Sequence, residues 1–379
     1  MDGGRQAGPD DGAGGRGDDM DGMDGTVSTA SAAGTASAAG AAGAAGTSLA
    51  VIGAGGIGGW LGTRLAEAGH RVGFLVHGAT LEALRRRGLT LIGPEGSVSA
   101  RIEAPVAAAD PAELLEALGS QPRAVLLTTK VGAITGLAPA LRALTGPRTA
   151  VVTTQNGLEA PRLVARAVGR ERVLPGVARV YARVVERGRV ETMGGPGAMH
   201  LGEWGGGASP RVHALVAALR SAGVSARASE DIWAELWRKA AFVVPQGGLG
   251  AVAQAPIGVL RTALRDSYRA MVREAVEVAA ALGHPVAEDP AAYTERVLAL
   301  ADQQPEHATT SMQRDIAAGL PSELDAQVGA VCRAGDEAGV PTPVHDLVLA
   351  ALVLRERASQ ERRRTICEPV DQQVLRTNP

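Results

Sequence analysis

Of the 38 basic residues in this chain, only Lys130 and Lys239 are lysines. Where a surface charge suffices the chain uses arginine. The two lysines therefore suggest places that need a compact ammonium able to give up its proton, which a guanidinium cannot do. Lys130 follows the apolar run VLLTT, and Lys239 lies in AELWRKAAF on a predicted helix. The alternative, that both are ordinary surface charges, stays open. Asparagine is equally thin: Asn156, in TTQNGLE, is the only one before Asn378. Asn-Gly is a turn pair, and the same amide can bond a ligand. In TTSMQRDIAAGLPSELDAQ, Ser311 either caps a helix or faces a ligand. Glu323 is expected just inside a helix capped by Ser322, where a first-turn carboxylate often has only a structural role.

The elements that must position these groups begin at Ser48. Leu49 to Ile52 form an apolar strand, which turns through Gly53-Ala54-Gly55-Gly56-Ile57-Gly58 into an amphipathic helix ending at Gly69, and a second strand follows over Val72 to Val76. Strand, glycine turn, helix and strand within about 30 residues make a dinucleotide-binding unit. Gly53 would make the tight turn, Gly55 would let the backbone approach a pyrophosphate, and Gly58 would let helix and strand pack closely. The helix N-terminus would then offer free N–H groups to the phosphates. An acid at the end of the second strand would select NAD, but that position holds His77 and no acid occurs from Gly69 to Leu81. NADP is therefore expected. His77 would donate to the 2′-phosphate, and Arg85, Arg86 or Arg87 either help or form a solvated helix end.

Val125 to Thr129 and Ala150 to Thr154 read as buried parallel strands, with Lys130 and Asn156 beyond their carboxyl ends. Ligands of open α/β sheets bind at that edge. Residues 173 to 204 read as antiparallel strands with turns at Arg187-Gly188 and Gly194 to Gly197. From Asp231 helices take over, expected at 231–244, 257–282, 290–303, 309–318, 322–338 and 343–357. The fold class is therefore α/β, an N-terminal Rossmann-type domain (48–228) followed by an all-helical domain (229–358). Disordered tails are expected at 1–47, which is Gly-, Ala- and Asp-rich, and at 359–379. A net charge of −2 argues against nucleic acid, no apolar run is long enough for a membrane span, and two cysteines cannot build a disulfide framework. A cytoplasmic monomer or homodimer without a metal site is the expectation.

The motifs VIGAGGIGG, TTKVGA, QNGLE, AELWRKAAF and TTSMQRDIAAGLPSELDAQVGAV, followed by AGVPTP, resemble the ketopantoate reductase (2-dehydropantoate 2-reductase) family in order and spacing from about residue 48 to 357. The resemblance implies NADPH-dependent reduction of 2-dehydropantoate, a 2-oxo acid, to (R)-pantoate on the way to pantothenate and coenzyme A. It implies that Lys239 is the catalytic lysine and that Glu323 binds the substrate hydroxyl and helps hold that lysine. Asn156 and Lys130 would line nicotinamide and substrate, and Ser311 would bind the substrate carboxylate. This chain departs from the family at Val243 and Gly247, where asparagines are usual, and at His77, where an arginine is usual. The first two departures point to a related reductase of a bulkier or less polar 2-oxo acid as the alternative. A nucleotide-sensing protein without turnover is a further alternative, against which the two lysines and Glu323 argue.

Overall fold

The computed structural model describes residues 46–367 apart from Pro196, with side chains as far as Ala358. The expected N-terminal tail lies outside the described residues up to residue 45, as does the chain from 368 onward.

The strands in chain order are β1 (Ser48–Ile52), β2 (Arg71–Leu75), β3 (Leu89–Ile92), β4 (Val98–Ile102), β5 (Val106–Ala108), β6 (Ala124–Leu127), β7 (Ala150–Thr153), β8 (Val173–Leu174), β9 (Gly176–Arg179), β10 (Ala182–Glu186), β11 (Arg189–Thr192), β12 (Ala198–Leu201) and β13 (Ser225–Ala228). Six of them form a wholly parallel sheet in the order β5-β2-β1-β6-β7-β8. Along β1, Leu49 and Val51 enter the core on one face of this sheet while Ala50 and Ile52 enter the core on the other. With both faces covered, an unbroken apolar run is what a strand here requires. The chain leaves β1 toward β2 on one side and returns to β6 on the other, so the winding direction reverses between β1 and β6. The loops after these two strands consequently splay apart, leaving a crevice at their carboxyl ends.

The 173–204 segment divides among three sheets. β10 and β11 form the expected antiparallel hairpin about Arg187-Gly188, and β9 pairs antiparallel with β12. β8, however, extends the parallel sheet, β11 runs parallel to β3, and β12 runs parallel to β13. Strands of two to five residues carry too little alternation to identify distant partners.

After β13, Asp231 caps a 22-residue helix, Ile232–Ala253, by accepting from the N–H groups of Trp233 and Ala234. It continues past its expected end because Pro245 is tolerated in its interior, where Val244 to Ala251 are all buried. Packing along that stretch outweighs the backbone hydrogen bond that proline removes. The expected 257–282 helix is two, Ile257–Leu260 and Arg265–Ala281. The expected 322–338 helix starts at Leu324, whose N–H bonds Ser322 Oγ, so Glu323 stands just before the first turn rather than inside it. A π-helical turn, Asp325–Gly329, follows and leads into Ala330–Ala338. The last helix, Pro343–Cys367, passes residue 357, so the segment expected as a tail from 359 begins as helix.

The two domains meet where the Asn156-Gly157 turn abuts the π turn. Gly157 has φ +91°, and a Cβ there would lie 2.1 Å from the Ala326 carbonyl oxygen. Gly157→Ala is expected to cost about 2 kcal/mol of stability or more, combining a left-handed backbone with overpacking against a main-chain atom. Denaturant unfolding checks this; an unchanged midpoint would mean that the two loops can separate without cost.

Candidate active site

The crevice between β1 and β6 is shaped by glycines. Gly53 has φ +95°, which reverses the chain out of β1. At Gly58 a Cβ would fall 2.1 Å from the Gly53 carbonyl oxygen, and at Gly56 it would fall 2.6 Å from the Ala182 carbonyl oxygen. Gly55 differs, with nothing within 4 Å of where its Cβ would stand. Gly55 is also the N-cap of the Gly56–Glu67 helix and supplies no side chain, leaving the first-turn N–H groups, those of Gly56, Ile57 and Gly58, available to an anion. Thr128 Oγ1 donates within 2.9 Å of both the Ile52 and Gly53 carbonyls, and Gln155 Nε2 bonds the Leu127 and Thr129 carbonyls at 2.8 and 2.9 Å. Thr129 Oγ1 is buried beside the loop with no partner among the described residues. An open backbone face, an uncapped helix start and an orphaned hydroxyl together fit a bound dinucleotide.

Lys239 reaches the crevice from the 232–253 helix. It is half-buried, and Nζ donates to the Ala178 carbonyl at the end of β9 at 2.7 Å. Burial, then the Arg179 guanidinium, holds its pKa down to about 8, while Glu323 pulls the other way. Glu323 accepts from the Val131 N–H at 3.3 Å and from Gln327 Nε2 at 3.2 Å. Burial raises its carboxyl above the usual range, against the Val131 bond and the charges of Lys130 and Lys239. A lysine that titrates near neutrality beside a buried carboxylate can protonate an oxygen that gains negative charge.

The remaining expected site residues are placed unevenly. The Asn156 side chain makes no hydrogen bond among the described residues, and its turn lies against the π turn that follows Glu323. Lys130 is exposed but engaged: Nζ bonds Asp315 Oδ2 at 2.8 Å and the Pro321 carbonyl at 3.3 Å, joining the two domains. Ser311 does not cap its helix. It is the exposed first residue of Ser311–Ala317, and Thr310 is the cap, accepting from the Gln313 N–H. His77 is the exposed N-cap residue of the Gly78–Arg87 helix, without a side-chain cap bond. The arginine run lies at the opposite end of that helix, about 10 Å away at 1.5 Å per residue. There Arg85 bonds the Ala107 carbonyl and Arg87 pairs with Glu186, as a solvated helix end does. The guanidinium that reaches the first turn of this helix comes instead from the β10–β11 hairpin, where Arg187 bonds Thr80 Oγ1 at 2.9 Å.

Beneath Lys239 lies a cluster that the sequence reading missed. Glu235, one turn earlier on the same helix, binds Arg179 at 2.9 Å, Arg238 at 2.9 Å and His200 Nδ1 at 3.2 Å. Burial would raise its carboxyl, yet the His200 bond and the two guanidinium charges hold it at about 2. The spacing of Glu235 and Lys239 was available in the sequence, but Arg179 and His200 arrive from β9 and β12, with nothing local to connect them. Among the described residues, no group of three or more His, Cys, Asp or Glu is placed to hold a metal ion.

Two family models match the chain: "Ketopantoate reductase PanE/ApbA" over residues 49–206 and "Ketopantoate reductase PanE/ApbA C terminal" over 231–356. The 2-dehydropantoate 2-reductase of Mesorhizobium japonicum is 33% identical over 329 residues, covering 80% of this chain and 95% of that protein. Among solved structures, 2-dehydropantoate 2-reductase from Methylococcus capsulatus is 28% identical with a TM-score of 0.73, covering 82% of this chain and 97% of that one. A D-mandelate dehydrogenase solved with NADH and anilino(oxo)acetate shares the fold, with a TM-score of 0.71 at 21% identity, covering 82% of this chain and 99% of that one. With the glycine-shaped crevice, the inward lysine and family matches over both domains, the chain is an oxidoreductase that belongs to the ketopantoate reductase family.

Proposed function

We propose that this protein reduces 2-dehydropantoate to (R)-pantoate with NADPH, in the cytoplasm, on the route to pantothenate and coenzyme A. The observation that carries this reading is Lys239, with its pKa lowered to about 8, facing the crevice beside Glu323. Gly53, Gly55, Gly56, Ile57 and Gly58 would hold NADPH, whose chemistry would be to supply a hydride to the carbonyl carbon. As that bond forms, the carbonyl π electrons move to oxygen, and the Lys239 ammonium stabilises the growing alkoxide and gives it a proton. The resulting neutral amine regains a proton from water. Glu323 receives the substrate hydroxyl and keeps a negative charge near the ammonium. Asn156, Lys130 and Ser311 orient the carbonyl and carboxylate, with Lys130 doing so from its bond to Asp315. The Arg187 guanidinium and the His77 ring N–H are the groups offered to the 2′-phosphate.

One observation favours the second reading, a related 2-oxo acid. Val243 is half-buried one turn beyond Lys239 on the same helix face, and at Gly247, a turn further, a Cβ would lie 2.9 Å from both Met312 Cε and Thr310 Oγ1. The space an amide at 247 would occupy is therefore filled by the Met312 methyl and the Thr310 hydroxyl, and Val243 presents only an apolar side chain. NADPH oxidation with ketopantoate and a panel of 2-oxo acids decides: turnover of several others and none of ketopantoate would move the substrate and keep the lysine chemistry.

Three outcomes test the mechanism. Lys239→Ala should lower kcat by ~10² or more, the usual loss for a general acid, with NADPH binding retained by fluorescence titration; near-normal turnover would remove Lys239 from the reaction. The proton donor must be charged to act, so kcat/KM should be high below pH 8 and decline as pH rises through about 8. It should also decline in acid, as protonation of Glu323, with its raised pKa, removes the negative charge. A profile flat through pH 8 would contradict this assignment. His77→Asp should move preference from NADPH toward NADH, because a carboxylate repels the 2′-phosphate; an unchanged ratio would mean that Arg187 or another group holds it.

A further inference from the structure

We propose that Glu235 is a positioning residue for this site: its bonds to Arg179 and His200 lock the lysine-bearing helix to strands β9 and β12, and its charge offsets guanidinium repulsion of the Lys239 ammonium. The proposal rests on the role given to Lys239 above.

The geometry leaves little freedom. The side chains of Arg179 and His200 come from neighbouring antiparallel strands, in which Ala198 pairs with Arg179 and His200 with Val177. Both converge on Glu235 Oε2, at 2.9 and 3.2 Å, while Oε1 takes the Arg238 guanidinium at 2.9 Å. The Glu235 side chain is 14% exposed and that of Arg179 11%, so this is not a solvated surface pair. The residue before Arg179 is Ala178, whose carbonyl receives Lys239 Nζ. One short stretch of β9 is therefore gripped by the helix twice, one turn apart: by the Glu235 carboxylate through Arg179 and by the Lys239 ammonium through Ala178. The groups that face the ammonium from packed elements are Arg179 on β9 and Glu323 before the π turn. His200 on β12 and Tyr293, whose hydroxyl donates to the Arg238 carbonyl at 3.4 Å, complete the surroundings of the Glu235 cluster. If Glu235 becomes neutral, Arg179, the guanidinium that already disfavours the Lys239 ammonium, loses the carboxylate it is paired with. If Arg179 becomes neutral, the ammonium loses its nearest repelling charge. The two changes must therefore act on Lys239 in opposite directions.

Because the chain has only two lysines, Lys239 can be read directly. The full-length protein labelled with 13Cε-lysine gives two lysine resonances, assigned with Lys130→Arg, and their pH titration reports each ammonium without any substrate. Glu235→Gln should lower the Lys239 midpoint by about one unit and Arg179→Gln should raise it by about as much, as expected for one nearby charge. Glu235→Asp should keep it close to wild type, and Glu235→Gln with Arg179→Gln should bring it back. The high-pH limb of kcat/KM for whichever 2-oxo acid is turned over should move with the midpoint. A midpoint that stays in place, or moves the same way in both single variants, would overturn the proposal even if the variants are less stable. The NMR titration does not need turnover, so a failure of the proposed reaction would leave this result readable on its own.

Discussion

The contact on which the rest depends is the hydrogen bond from Lys239 Nζ to the Ala178 carbonyl. It fixes a helix of the second domain against the end of a strand of the first, and it does so with the ammonium that we propose as the proton donor. The ammonium is thus held by main chain, which cannot swing away as a side-chain partner could. It retains two further N–H bonds to offer. Four residues after Ala178 the hairpin begins at Ala182, whose carbonyl lies against Gly56, so the lysine is presented at the same edge as the glycine loop.

Placing an ammonium there carries an electrostatic cost. Removal from water disfavours the charged form, and a neighbouring guanidinium disfavours it further. Two carboxylates offset this in different ways. Glu323 acts across the crevice and has itself been made less acidic by burial. Glu235 acts from behind: it remains strongly ionised and pairs with Arg179, the guanidinium that disfavours the ammonium. The outcome is an ammonium whose pKa is held down to about 8, which suits the proton-donor role proposed for it.

The π turn at Asp325–Gly329 has a positional role in the same arrangement. It brings Ala326 against Gly157, so the loop bearing Asn156 and the segment bearing Glu323 are set by one contact between domains. An extra residue in a helical turn is often found where a functional site needs a particular offset. Lys130 supplies a second link, through Asp315 and Pro321. Residues that could be read as free ligands in the sequence thus also hold the domains together.

How much was legible beforehand follows from the range of the forces involved. The sequence alone was enough to place the glycine turn, the alternation of strands and helices, the change to helices after Asp231, and the two lysines and Glu323 as residues of interest. Each of these depends on local periodicity, on glycine's unique backbone freedom, or on the chemistry of a residue type. It misjudged what depends on distant packing. Pro245 lies inside a helix because its neighbours are buried, Thr310 rather than Ser311 caps the short helix, and β11 of the 173–204 segment pairs with β3, about a hundred residues earlier in the chain. The Glu235 cluster was invisible for the same reason. Its members are ordinary arginines, a histidine and a helix carboxylate until the fold brings β9, β12 and the lysine helix together, and only then does burial turn their mutual charges into a device that tunes Lys239.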